Sequence, residues 1–148
     1  MPRYLFIAQF AATWTMFGII WFVQIVHYPL FDGVDLSEFT AYERRHSRLT
    51  SYVVGPPMLV ELLCALAALR GTWRLASMSA SLAWFGFSLL VLIWLCTAFV
   101  QVPRHTILEQ RFDSGVHRSL VATNWIRTLA WSLRAALLAA VAMKGLCH

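Results

Sequence analysis

The chain is short of charge. Lys, Arg, Asp and Glu make up 13% of its 148 residues, and only seven of these are acidic, whereas soluble domains carry about a quarter. With 59% of the chain hydrophobic, this composition excludes an ordinary water-soluble domain. Cysteine is equally sparse. Cys64, Cys96 and Cys147 lie in apolar segments or at the C-terminal end without CxxC spacing, so neither a disulfide framework nor a zinc finger is encoded, and packing is their expected role. No stretch alternates apolar and polar residues over the ~10 positions of a membrane strand, which excludes a barrel. There is no internal repeat and no low-complexity tract. No small-residue cleavage site precedes His27-Tyr28-Pro29, so the first apolar segment reads as a retained helix rather than a signal peptide.

What is present is four apolar blocks, Leu5–Val26, Tyr52–Leu69, Met78–Val100 and Leu120–Met143. Each approaches or exceeds the ~20 residues a helix needs to cross the hydrocarbon core. Backbone groups in lipid must be satisfied within the segment or in a closed barrel. The expected fold is therefore all-α, an integral membrane antiparallel four-helix bundle forming one domain over residues 1–148. Pro29 and Asp32-Gly33 mark a turn, and Ser37 is the expected N-cap of a helix that continues into the second span. Pro56-Pro57 should kink that helix. Gly71 to Arg74 reads as a tight turn, Pro103 as the break or bend ending span three, and Ser114-Gly115 as the reset before span four. Trp and Tyr near several segment ends suit an interfacial belt.

The net charge of +5 would point to nucleic acid in a soluble protein; here it bears on topology. One end of the bundle holds Arg3, Arg70, Arg74 and Lys144 with no acid. The other holds Arg44, Arg45, Arg48, Arg104, Arg111 and Arg118 among six acidic residues. Counting cations alone favours the second end as cytoplasmic, while the acid-free flanks of the first helix favour the reverse. We read both termini as cytoplasmic, in a bacterial-type inner membrane. The expected partners are the bilayer and a lipophilic small molecule, not nucleic acid, with a homo-oligomer left open.

Four of five histidines fall at one rim of such a bundle. His27 closes the first span, His46 leads into the second, His105 follows the third and His117 opens the fourth, leaving only His148 at the other rim. Carboxylates accompany them at helical spacing: Glu43 three before His46, Glu109 four after His105, and Asp113 four before His117. A carboxylate so placed can orient an imidazole or itself bind a metal. Glu-x-x-His is also half of the di-iron signature of helical bundles, present here once in that order. The expected metal set is thus His27, His46, His105 and His117 with Glu43, Glu109 and Asp113.

Polar residues continue inward. Gln24 lies about a turn before His27 and Gln101 about a turn before His105, while His117, Asn124, Arg127, Trp131 and Arg134 form one stripe on span four. At 1.5 Å per residue, Glu61 lies about 22 Å below His46, and Arg127 and Arg134 about 15 and 25 Å below His117. A buried ion pair between Glu61 and one of these arginines is expected, because an unpaired charge at the bilayer centre costs at least ~2.5 kcal/mol.

The run Gln101-Val102-Pro103-Arg104-His105 and the later Asn124-Trp125-Ile126-Arg127 resemble motifs of the anthrone-oxygenase-like family of small four-helix membrane proteins. The resemblance implies an oxygenase-like protein acting on a lipophilic aromatic substrate, with His105, Asn124 and Arg127 as the positions carried over. This chain departs from the family pattern in also having His27, His46 and His117, and those extra groups favour a bound metal over a cofactor-free mechanism.

Three functions follow as expectations. The first is a metal-dependent membrane oxidoreductase, with iron or copper preferred to zinc because no thiolate accompanies the imidazoles. Arg127, Asn124 and Gln101 would then act as the candidate catalytic residues, binding an oxyanion, quinone or phenol-like group. The second is a haem-binding electron-transfer subunit with two axial histidines. The third is a non-catalytic membrane subunit or assembly factor whose charged rim docks a partner. A transporter is disfavoured, since no paired broken helices are present.

Overall fold

A computed structural model describes residues 2–70 and 78–146. The first helix, α1 (Pro2–Phe22), widens into a π-helical turn over Val23–His27, where the Tyr28 N–H donates to the Val23 carbonyl five residues back (2.9 Å). A 3₁₀ turn, Pro29–Gly33, follows, with Pro29 at its start where no N–H is required. Ser37 is not the cap of the next helix. Its hydroxyl and its N–H both donate to Asp35 (2.6 and 2.8 Å), which holds that carboxyl below its ordinary range. Glu38 precedes α2 (Phe39–Leu69) and supplies no side-chain cap. α2 runs through both Pro56 and Pro57 as a single helix.

Ser79 caps α3 (Ala80–Cys96), accepting from the Leu82 N–H at 3.2 Å. Pro103 does not end the third span. The chain widens into a second π turn, Thr97–Gln101, and continues as α4 (Val102–Leu108). α5 (Ser114–Leu146) starts at Asp113, whose carboxylate accepts from the N–H groups of Val116 (3.0 Å) and Gly115 (2.9 Å). The Val116 bond is the main reason that this carboxyl lies below its ordinary value. The expected Gly71 to Arg74 turn, Cys147 and His148 lie outside the described residues.

Four helical stretches are long and apolar enough to cross a membrane: Arg3–Gly33, Phe39–Leu69, Ala80–Leu108 and Ser114–Gly145. They enclose three of the four apolar blocks of the sequence, and the third span starts two residues after Met78 and runs on to Leu108. α1 packs on α2 and α5, and α3 packs on the same two helices, giving an antiparallel four-helix bundle. Its core has three apolar layers. Phe6, Cys64, Met78 and Leu138 fill one end; Met16, Ile20, Met58, Ile93 and Trp131 fill the middle; Tyr28, Phe31, Phe39, Leu108 and Leu120 fill the other.

Polarity is turned inward. Ile7, Phe22, Leu63, Trp84, Leu95, Phe99 and Leu133 are exposed, whereas Gln9, Thr13, Gln24, Glu43, Glu61, Gln101, Asn124, Arg127 and Arg134 are buried. Water would penalise an apolar surface of this extent, while a bilayer solvates it and forces polar groups to find partners inside. The expected ion pair is formed by Arg134: its Nη2 and Nε lie 3.2 and 3.3 Å from Glu61 Oε1. Trp131 Nε1 donates to the other carboxylate oxygen at 2.9 Å, Thr13 donates its hydroxyl to Oε1, and Arg134 Nη1 donates to the Gly86 carbonyl.

Because each partner compensates the other, Arg134→Ala should destabilise the bundle by about 3–5 kcal/mol, leaving a buried carboxylate uncompensated. The double replacement Glu61→Leu with Arg134→Met should cost less than either single removal. Denaturant titration in detergent micelles checks both, and additive losses would contradict the pairing.

Candidate functional site

The two π turns sit where α1 and α3 reach the histidine rim, a placement often associated with functional sites. The first re-aims the residues within it. Gln24 and His27 do not share a partner: Gln24 faces α5, donating to the Val121 carbonyl (3.3 Å) and accepting from Asn124 (2.9 Å), whereas His27 turns to α2. Gln101 likewise donates to Thr123 on α5 (3.0 Å), whereas His105 turns to Glu43 on α2. An ordinary helical turn would keep Gln24 and His27 stacked, and the first π turn, which contains both, separates them; Gln101 and His105 are one regular turn apart and line the same cavity.

Three of the four rim histidines meet. His27 Nε2 and His46 Nδ1 are 2.8 Å apart, and the His46 and His105 ring centroids are 5.6 Å apart. Phe31 stands edge-on to His27 and His46, 5.1 Å from each. Thr50 Oγ1 also reaches His46 Nδ1, at 3.2 Å. Glu43, fully buried, bonds His105 Nδ1 rather than its helical neighbour His46, and the Tyr28 hydroxyl lies 3.2 Å from His105 Nε2. An ionised carboxylate only accepts, so a bond to Glu43 places the proton of neutral His105 on Nδ1. Nε2 is then the acceptor for the Tyr28 O–H, completing a carboxylate–imidazole–phenol chain.

His117 stands apart from this group. Its Nδ1 pairs with Asp32 (3.1 Å), its Nε2 contacts the Tyr28 carbonyl (3.2 Å), and its ring stacks on Phe31 at 5.7 Å. Asp113, its expected partner, is occupied as the α5 cap. Glu109 lies on the cavity wall without bonding His105 through its side chain. Of the expected metal set, then, His27, His46, His105 and Glu43 converge, while His117, Glu109 and Asp113 do not join them. Among the described residues, no group of three or more His, Cys, Asp or Glu could hold a metal ion as it stands. His27 Nε2 and His46 Nδ1 are directed at each other instead, and the two nitrogens of His105 at Glu43 and Tyr28.

Beside the cluster opens a cavity of about 440 Å³, within the ~300–1,000 Å³ of ordinary small-molecule sites. Its outer wall includes exposed Arg44, Arg48 and Thr106; its middle holds His46 and His105; Tyr28, Gln101 and Arg127 form its buried end. Met16, Ile19, Ile20, Val54 and Val102 supply apolar surface between them. Arg127 and Gln101, two of the three expected catalytic residues, therefore line the cavity. Asn124 is not among its lining residues. It is fully buried and donates to Gln24, so it ties α5 to the first π turn.

Sequence reasoning missed Tyr28, Asp32 and Thr50. The roles of Tyr28 and Asp32 arise from contacts between elements, whereas Thr50 lies four residues after His46 on α2, a helical spacing that could have found it. Comparison with protein-family models, curated proteins and solved structures finds no match for this chain.

His117 is thus bound to the Pro29–Gly33 turn and separate from the cavity. His117→Ala should lower stability by about 1 kcal/mol, the net worth of a lost hydrogen bond, because Asp32 is exposed and the Tyr28 carbonyl still accepts from the Phe31 N–H. Thermal unfolding measures that loss; a variant as stable as wild type would show the contact to be dispensable.

Proposed function

We propose that the cavity holds a lipophilic molecule and that the Glu43–His105–Tyr28 chain moves a proton at that molecule's polar end. The observation that carries this reading is the meeting of a buried carboxylate, an imidazole and a phenol at a cavity of ligand size. Tyr28 would pass its proton to His105 Nε2 while taking one from the bound group, and the Glu43 carboxylate would stabilise the imidazolium so formed. Desolvation inside the bundle strengthens each of these interactions. Gln101 and Arg127 would hold the polar end at the buried wall. The resemblance to anthrone-oxygenase-like proteins, with His105, Asn124 and Arg127 as the positions carried over, supports a lipophilic substrate for the cavity. The protein would lie in a bacterial-type inner membrane with both termini cytoplasmic.

A second reading, a metal-dependent oxidoreductase, is favoured by the 2.8 Å approach of His27 Nε2 to His46 Nδ1 beside His105. A small rotation of the rings would direct three imidazole nitrogens, with Glu43, at iron or copper. Haem between His27 and His46 would require these rings to separate, since their nitrogens are nearly in contact.

Elemental analysis and a visible spectrum of tag-free protein in mild detergent distinguish the readings. The proton-transfer reading expects metal-free protein in which Tyr28→Phe keeps the fold and ligand binding but abolishes turnover. Stoichiometric iron or copper, lost in His46→Ala and kept in His117→Ala, would replace it with the metal enzyme. A Soret band would replace it with the haem subunit. If the cavity takes no lipophilic ligand at all, a docking or assembly role is what survives.

A further inference from the structure

All seven acidic residues of the chain lie among the described residues, so the charge partners inside the bundle can be traced. Glu61 belongs to Arg134 and Glu43 to His105, while Asp32 pairs with His117. Arg127 is left over. It is 7% exposed, forms no ion pair among the described residues, and its Nε has no hydrogen-bond partner. Its guanidinium lies 5.3 Å from the Trp131 ring centre, a contact that compensates only part of the cost of burying a cation. It also lines the buried end of the cavity.

The neighbouring polar groups leave the anion-binding role to Arg127. The Tyr28 hydroxyl is engaged with His105 Nε2. Gln101 uses Nε2 on Thr123, whose own hydroxyl is donated to the Ser119 carbonyl at 2.6 Å, so its orphaned Oε1 can only accept. A neutral ligand would leave the Arg127 charge uncompensated. A phosphate dianion would overcompensate it and find no second cation at that depth, because Arg44 and Arg48 stand at the exposed mouth.

We propose that the ligand is an amphiphilic monocarboxylate that enters head-first, its carboxylate on Arg127 and its hydrocarbon along Ile19, Ile20 and Val54. Guanidinium and carboxylate match as planar partners, and both charges are matched within the bundle. This inference rests on the reading of the cavity as the ligand site.

The test uses the full chain in lipid nanodiscs at neutral pH, with decanoate and decanol as probes and binding followed by calorimetry. Decanoate should bind more tightly than decanol. Arg127→Gln should weaken decanoate by about 10- to 100-fold, the size of a lost charge-assisted contact, and leave decanol unchanged. Arg127→Lys, which keeps the cation, should retain the preference for the acid and guards against a folding defect in the glutamine variant. Equal binding of acid and alcohol, or decanoate affinity indifferent to Arg127→Gln, overturns the monocarboxylate while leaving the cavity reading intact. If Val54→Trp, which fills the cavity, does not block either probe, or if neither probe binds wild type, the cavity reading falls as well.

Discussion

The carboxylate of Glu61 is the buried charge through which the helices of the bundle are tied together. From α2 it accepts from Thr13 on α1 and from Trp131 and Arg134 on α5, and Arg134 in turn donates to the Gly86 carbonyl on α3. One buried charge pair thus gathers all four long helices at a single level. Lipid gives helices little hydrophobic reason to associate, so interhelical hydrogen bonds and close packing must do more of that work. The directional bonds of Glu61 also specify how the helices rotate about their axes, because only one face of each can present its partner. The polar residues nearer the rim inherit their orientation from that arrangement.

Towards the rim the bundle is organised differently. Two π turns lie there, one in the first span and one in the third; His27 and His105 face α2 while Gln24 and Gln101 bond to α5. The cavity is walled by residues of the first span, α2, the third span and Arg127 of α5. Phe31 packs edge-on against the rings of His27 and His46, while His117 and Asp32 hold the turn that carries it. Structural and chemical roles are therefore divided among residues of the same type within a few ångströms.

Much of this was legible in the residues themselves. The four apolar blocks predicted the spans, and the depths of Glu61, Arg127 and Arg134 predicted an ion pair between Glu61 and one of the two arginines. The gathering of histidines at one rim was visible from their positions at segment ends. The pairings between carboxylates and histidines were not. Glu43 and His46 are neighbours on one helix, yet the Glu43 bond goes across to His105. Asp113 shares a face with His117 but is occupied by free N–H groups at the start of α5. Helical spacing identifies residues that can meet, and competition among backbone donors and neighbouring helices selects those that do.

The sequence by itself determined the helical, membrane-spanning character of the chain, because hydrocarbon length and charge scarcity are properties of a linear string. It also determined the inventory of charge, seven acids against twelve lysines and arginines. Only the tertiary structure decided which cation is left without a carboxylate. The contest between Arg127 and Arg134 for Glu61 depends on helix rotation and on the three-dimensional reach of side chains, and Arg134 wins it. The cavity that Arg127 lines is assembled from residues of all four spans, a convergence that no residue spacing announces.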